Sequence, residues 1–344
     1  MDAKRFLAVI AVLCIVCFAL PVYAQDETSP PLQTQQKLEE ILYGEPSTGG
    51  LVPRLEKVER DLFGRALPGS LADRQKGLMN FLKDGTMGQP SMLFKTGVAE
   101  WVVYHECRPR LSLMDRVADL ERQMEGVADE GKPLAMRLER MLSLLLPQSV
   151  SWQDIHVPSS HVFKASFLET ISPAETAAED PVFLKMEEDL VIEGYLVAPM
   201  GSLVTGKVDS VKPPRSFGRP AEISFAFDAI QPLGPGAIPV FLGEAALATS
   251  KADKTVAAAA GTSALGFVLL GPVGLVGGLF VKGDAKDIPA GTPLYLETSA
   301  ATEARGYPVP PSLQKKQEND AVDQDGFEQP GTVNEDELNG GGDQ

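Results

Sequence analysis

The sequence predicts an α+β protein with a helical first part, a β second part and an apolar insertion within the β part. Residues 30–148 carry apolar side chains at helical spacing, whereas residues 151–300 alternate apolar and polar side chains as antiparallel strands do. Residues 255–281 contain no charged side chain. We therefore expect a domain of short helical repeats, followed by a small antiparallel β-barrel or sandwich that a Gly-rich apolar helical hairpin interrupts.

The helical part contains a repeated segment. Residues 38–44 align with residues 58–64, a third copy spans 116–126, and a degenerate fourth begins at Leu134. Each copy indicates a short helix that stops at a glycine, where a left-handed cap is favoured. Such a unit is too small to bury its own apolar stripe, so stacked units or a partner must cover it. The residues predicted to form this repeat interface are Leu55, Val58, Leu62, Leu120 and Met124.

An arginine stands near the start of each predicted helix, as Arg54 does. It could bind an anionic partner such as a cell-wall polymer. The interpretation that we favour is an exposed ion pair with a glutamate a few residues further on, Glu59 in this case, because such pairs are common on helix faces.

Short antiparallel strands are predicted for the second part. Residues 222–228 alternate between apolar and polar side chains, which gives one buried and one solvated face. A Pro-containing turn that feeds a strand occurs three times, at 157–161, 198–202 and 288–292. Because the third turn follows the apolar run, we expect the run to leave the sheet and return to it.

The apolar run, residues 255–281, exceeds the roughly 20 residues that a membrane-spanning helix needs. Its glycine spacing resembles a glycine zipper, in which helices embedded in lipid pack closely. Gly271-Pro272 lies near the middle and predicts a break, so we expect a helical hairpin with both ends on one side of the membrane. A single span and a buried helix pair are the alternatives. The residues predicted to pack these helices are Gly261, Gly266, Gly271, Pro272, Gly274, Gly277 and Gly278.

The two ends of the chain carry different signals. Residues 1–24 show the charged start, apolar stretch and small-residue site of a signal peptide, so we expect cleavage between Ala24 and Gln25. A single cysteine, Cys107, would then remain, which rules out an internal disulfide. Residues 301–344 are predicted to be a disordered acidic tail, since few of them could be buried.

Residues 198–208, the strand at 222–230 and residues 238–240 together resemble the C-terminal barrel of VirB10/TrbI-type secretion-channel proteins. In that family a Pro-x-Gly-Ser turn, present here at 199–202, precedes a strand, and a two-helix projection inserted in the barrel reaches the outer membrane. The resemblance covers residues 154–300. It implies a barrel fold and a hairpin that contacts the membrane.

The sequence predicts no enzyme active site, no cofactor and no metal site. Asp154, His156 and His161 do not have the spacing of a known zinc signature. His105 and Cys107 are two residues apart and would point to opposite sides of a helix, which argues against a nucleophile and its base.

Charge and composition complete the functional prediction. A formal net charge of -16 argues against nucleic acid as a partner. We expect an exported, non-enzymatic scaffold of the periplasm and outer membrane, whose helical repeats bind a protein or cell-wall partner of unknown identity. The short hairpin arms would suit a homo-oligomer. The alternative is a soluble exported ligand-binding module in which the apolar run is buried as a helix pair.

Overall fold

The computed structural model describes residues 30–212, 222–254, 256, 266–267, 281–282, 287–311 and 313. Within these residues the fold is α+β, as predicted, with seven helices, a closed six-stranded antiparallel barrel and a second, smaller sheet. The predicted signal peptide, including Ala24 and Gln25, lies outside the described residues. So do most of the apolar run and the predicted acidic tail from residue 314 onward. The disordered tail predicted for residues 301–344 is wrong at its start, because Thr302–Pro308 forms a strand that pairs with two others and buries Ala304 and Tyr307.

Six of the helices precede the first strand. They are α1 (Pro31–Tyr43), α2 (Leu51–Phe63), α3 (Leu71–Met79), α4 (Met92–Tyr104), α5 (Leu113–Glu125) and α6 (Leu134–Leu145). Helix α3 continues into a π-helical turn at Asn80–Asp84. The side chains of Ser70, Ser91 and Ser112 accept a backbone N–H at the starts of α3, α4 and α5. Local sequence therefore sets where these three helices begin.

Glycines end three of the helices. Gly44, Gly64 and Gly126 adopt left-handed backbone angles after α1, α2 and α5, with φ of 87°, 76° and 81°. The caps predicted at Gly64 and Gly126 are thus confirmed. Helix α4 differs, because it ends at His105 with a φ of 60°. A side chain in this conformation costs about 1–2 kcal/mol.

The apolar stripes of the helices lie in one core. Four of the five predicted interface residues, Leu55, Val58, Leu62 and Leu120, have no exposed surface. Met124 lies at the edge of the stripe and is partly exposed. The same core includes Trp101 together with Leu196 and Tyr307 from the β part. Strands as well as neighbouring helices therefore cover the helical stripes.

The β part contains twelve strands in the described residues. They are β1 (Gln153–Val157), β2 (Val162–Phe167), β3 (Pro181–Met186), β4 (Leu190–Ile192), β5 (Tyr195–Ala198), β6 (Leu203–Lys212), β7 (Glu222–Ile230), β8 (Ile238–Phe241), β9 (Gly266–Phe267), β10 (Val281–Lys282), β11 (Pro293–Thr298) and β12 (Thr302–Pro308). Helix α7, Glu244–Ala252, follows β8. The barrel closes in the order β11-β2-β3-β6-β7-β8, and the smaller sheet has the order β1-β12-β5-β4.

The predicted alternation places apolar side chains inside the barrel. Ile223 and Phe225 are completely buried, and the ring of Phe225 lies 5.4 Å from that of Phe167. All three predicted Pro-containing turns are followed by strands of the β part. The third turn leads into β11, which pairs with β2 and β8 and so closes the barrel after the apolar run.

Part of the apolar run is extended. Strands β9 and β10 pair antiparallel, with Phe267 opposite Val281 and Gly266 opposite Lys282. The predicted helix is therefore wrong at Gly266, Phe267 and Val281, where cross-strand pairing suits residues of low helix propensity. The other predicted packing residues, Gly261, Gly271, Pro272, Gly274, Gly277 and Gly278, lie outside the described residues. Among the helices of the described ranges, none has the length and apolar character to cross a membrane.

Candidate functional site

A buried ion pair joins consecutive helices at four places. In the first, Nε and Nη2 of Arg54 on α2 donate to the two carboxylate oxygens of Glu39 on α1, at 2.9 and 2.5 Å. The equivalent pairs are Arg74–Glu59, Arg116–Glu100 and Arg137–Glu121. In every pair the arginine follows its glutamate by fifteen or sixteen residues. The predicted partner of Arg54, Glu59, was wrong, since Arg54 turns back to the preceding helix.

Each glutamate also binds the loop that follows its own helix. The backbone N–H eight residues further on donates to the carboxylate, and these donors are Ser47, Leu67, Arg108 and Asp129. A buried carboxylate is tolerated only when such donors replace its lost hydration. One side chain therefore holds two helices and the loop between them.

The ionised form of Glu39, Glu59 and Glu121 is favoured. Burial acts to raise the pKa of Glu39, but the hydrogen bonds from Arg54, Gln35 and Ser47 bring it below its usual 4.5. The pKa values of Glu59 and Glu121 are lowered in the same way, because hydrogen bonds from Arg74 and Arg137 contribute most to outweighing the effect of burial. These groups therefore act as structural anions, which is a poor starting point for acid catalysis.

The loop after α4 fastens the helices to the barrel. The N–H of Cys107 donates to the carbonyl of Met200 at 2.8 Å, and its Sγ lies 3.4 Å from Oγ of Ser202. Nearby, Nε1 of Trp101 donates to Asp189 at 2.8 Å, and the N–H of Met200 donates to the same carboxylate at 2.6 Å. The turn at 198–202 was predicted only as a strand start, and it also forms this junction.

Glycines allow the two parts to approach closely. A Cβ added to Gly201, whose φ is +83°, would lie 2.2 Å from the carbonyl oxygen of Cys107. A Cβ added to Gly97 on α4 would lie 2.5 Å from Cδ2 of Leu233. Side chains at these positions would push the helices away from the barrel.

A cleft of about 320 Å³ opens at this junction. One wall is formed by helices α4 and α5 with Gly97 and Arg116, and the other by strand β6 and the Pro- and Gly-rich segment 231–237. Ser202 and Cys107 line the space between the walls. The volume lies at the lower end of the range typical of small-molecule sites.

The thiol in this cleft is not activated. Burial raises the pKa of Cys107 to about 11, so the thiol is neutral near pH 7. His105 is exposed at the end of α4, and no hydrogen bond joins it to Cys107 in the described part of the chain. A thiol buried in this way also cannot reach a second chain to form a disulfide without local opening.

The histidines of the β part are placed differently. His156 on β1 lies with Nδ1 2.9 Å from a carboxylate oxygen of Glu303 on β12, and both side chains are exposed. His161 lies at the turn before β2, where its N–H donates to Thr298. Asp154 is opposite Arg305 in the β1–β12 register. In the described ranges, no three His, Cys, Asp or Glu side chains are grouped to hold a metal ion.

The structure is therefore an array of short helices that packs against a small closed barrel through hydrogen bonds and close glycine contacts. Comparison with known protein families, curated proteins and solved structures finds no match for this chain.

Proposed function

We propose that this chain is a non-enzymatic scaffold of the cell envelope. Its helices form a tandem repeat that binds a protein or cell-wall partner, and its barrel carries a Gly-rich hairpin that contacts the outer membrane. The observation that carries the proposal is the antiparallel pairing of β9 with β10. Neighbouring paired strands bring the two ends of the intervening segment to one point on the barrel.

The intervening segment has the composition of a membrane contact. Residues 268–280 consist only of aliphatic residues, Phe, glycine and proline. When an apolar stretch of this length lies on the surface of a protein, it typically marks a membrane or protein contact. A helix of thirteen residues would reach only about 20 Å, less than the roughly 30 Å of a bilayer core. The segment therefore suits a shallow insertion, or several copies that pack through their glycines.

The four buried pairs support the tandem repeat. The same glutamate, loop N–H and arginine recur with nearly constant spacing, which is what a repeated unit of about twenty residues requires. Equivalent positions of a repeat lie on one face. Leu32 and Val52, the second residues of α1 and α2, are both about half exposed. This face is available for a partner.

The resemblance to VirB10/TrbI-type proteins supports the same function. Residues 198–208, 222–230 and 238–240, which carry the resemblance, contribute to three neighbouring strands of the closed barrel and the turn before them. In that family the insertion in the barrel reaches the outer membrane. An equivalent role here would place the helical array in the periplasm.

Vesicle flotation tests the membrane contact. The purified full chain should float with vesicles of phosphatidylethanolamine and phosphatidylglycerol, because the apolar segment inserts. A variant carrying Leu269→Asp and Leu275→Asp should stay at the bottom of the gradient. A control with two new aspartates in the helical part, Val127→Asp in the loop after α5 and Met136→Asp on α6, should float like the native chain, since both native side chains are more than half exposed.

The proposal fails if the hairpin variant floats as well as the control, provided that both variants keep the native circular dichroism. A native chain that stays monodisperse without detergent and does not float would favour the second candidate, a soluble ligand-binding module. The junction cleft of about 320 Å³ is the observation that favours that candidate.

A further inference from the structure

The junction cleft has a cationic lining. Lys83 and Arg116 line it, and no carboxylate is among its lining residues. Lys83 makes no ion pair within the described residues. Two carboxylates lie next to the cleft without lining it: Glu100, which binds Arg116, and Asp189, which accepts from Trp101 and Met200. The chain as a whole is strongly acidic, so this local excess of positive charge is unusual for its surface.

Arg116 keeps one donor free for a ligand. Its Nε and Nη2 donate to Glu100 at 3.0 and 2.7 Å. Its Nη1 makes no hydrogen bond in the described structure. This atom is not fully buried, so it keeps some accessible surface. The side chain is only 5% exposed, and Arg116 is one of the residues that line the cleft.

Glu100 fixes the orientation of this donor. A guanidinium held along one edge by a buried carboxylate loses little further conformational entropy when its other edge binds an oxyanion. The other three arginines of the buried pairs make the same internal contact, but only Arg116 borders the cleft. The repeat thus supplies a fixed cation at one particular place.

Uncharged donors complete the lining. Ser202, which is almost fully buried, and Gln231 border the same space, and both carry polar side chains. Gly234 and Gly236 also border the cleft, and their backbone N–H groups make no hydrogen bond within the described residues. Such groups can donate to an oxyanion, as in other anion-binding concavities of the backbone.

We propose that the junction cleft binds a small oxyanion, a molecule bearing a carboxylate or phosphate group. Arg116 Nη1 and Lys83 Nζ supply the charge, and Ser202 and Gln231 supply the hydrogen bonds. Binding here joins groups from α5, from the π-helical turn after α3 and from the barrel, so a bound anion stabilises the junction. This inference does not depend on the membrane contact.

Titration calorimetry of the full chain with inorganic phosphate and with citrate tests the site. Chloride is varied to hold the ionic strength constant, because diffuse attraction to any cation depends on salt. We expect saturable binding of at least one probe, and the tighter probe identifies the group that the natural ligand carries. Lys83→Met should weaken this binding about tenfold, as expected for a charged hydrogen bond.

The matched control is Lys76→Met, which removes an exposed lysine from α3 outside the cleft. It should bind the probes like the native chain. Ser202→Ala should weaken binding without removing a charge. The inference is overturned if neither probe binds above the chloride reference, or if Lys83→Met and Lys76→Met bind equally. Flotation of Lys83→Met should match the native chain, which separates this test from that of the membrane contact.

Discussion

Glu39 shows what a single residue contributes to this fold. Its carboxylate receives two hydrogen bonds from Arg54, one from Ser47 and one from Gln35. Arg54 and Glu39 are both at least nine-tenths buried. Neither charge can regain water if its partner is removed, so the pair is worth more to the folded state when intact than either member alone.

Arg54→Ala is therefore expected to lower the free energy of unfolding by about 3–5 kcal/mol, because Glu39 is left as a buried unpaired charge. Arg60→Ala on the same helix is the matched control. Arg60 pairs with Glu56 on the surface, and its loss should cost less than about 1 kcal/mol. Urea denaturation followed by circular dichroism measures both. Equal losses in the free energy of unfolding would show that the buried pair stabilises the fold no more than the surface pair.

The free energy of unfolding should also depend on pH through the carboxylate of Glu39. The pKa of Glu39 in the folded chain lies below its usual 4.5, so the folded state favours the ionised form. Its contribution is complete above about pH 4.5 and is lost as the pH falls toward the folded pKa. Urea midpoints measured from neutral pH down to about pH 3 should therefore decrease.

Glu39→Gln should flatten this pH dependence, since one of the responsible groups no longer titrates. Leu62→Ala provides the control, because it destabilises the same core without removing a carboxylate. Leu62→Ala should lower the urea midpoint equally at every pH, so the slope of the midpoint against pH stays the same. An unchanged slope in Glu39→Gln would contradict the assignment.

The ends of the helices decide how the elements are spaced. Gly44 and Gly64 turn the chain sharply, and both lie against the start of a later helix, at Ser112 and Pro133. His105 occupies the equivalent position at the end of α4 with a φ of 60°. Its imidazole is exposed, so packing does not repay the strained backbone.

His105→Gly should accordingly stabilise the chain by about 0.5–1 kcal/mol, which is the relief of the left-handed strain less the added entropy of the unfolded state. His105→Ala keeps the strain and should give no gain. Thermal unfolding of the two variants side by side makes the comparison. A gain in the alanine variant as large as in the glycine variant would point to a cause other than backbone conformation.

For the whole molecule, the junction makes the helices and the barrel interdependent. Both tryptophans lie there: Trp101 donates to Asp189, and Trp152 donates to the carbonyl of Thr86 and lies under the guanidinium of Arg305. The helical core also continues into residues of the smaller sheet. The helical array therefore has a defined attachment to the barrel.

Substitution of two glycines in equivalent turns tests how much this attachment contributes to stability. Gly201 and Gly291 have nearly the same φ, 83° and 79°, but only Gly201 would contact the opposite part if it carried a Cβ. Both alanine variants should lose about 1–2 kcal/mol from backbone strain. Gly201→Ala should lose clearly more, since Cys107 must move. Tryptophan fluorescence during urea unfolding reports both, and equal losses would argue against a stabilising junction.

Local features of the fold could be predicted from the sequence. The α+β class, the caps at Gly64 and Gly126, the alternation of residues 222–228 and the Pro-containing turns all depend on backbone preferences within a few residues. The helix predicted at Gly266 failed because pairing with β10 outweighed a short apolar pattern. For segments of this length, tertiary pairing commonly overrides local preference.

The partners of the charged side chains came from the packing of distant segments. Arg54 meets a glutamate fifteen residues earlier, and Cys107 meets Ser202, ninety-five residues later. The aligned copies of the repeat contain both Glu39 and Glu59, so their regular distance from Arg54 and Arg74 was a usable signal. The cleft left no such signal. The spacing of apolar residues and the turn residues reflects interactions between neighbours in the sequence. The cleft instead depends on the close packing of a helix against the barrel, which Gly97 and Gly201 allow.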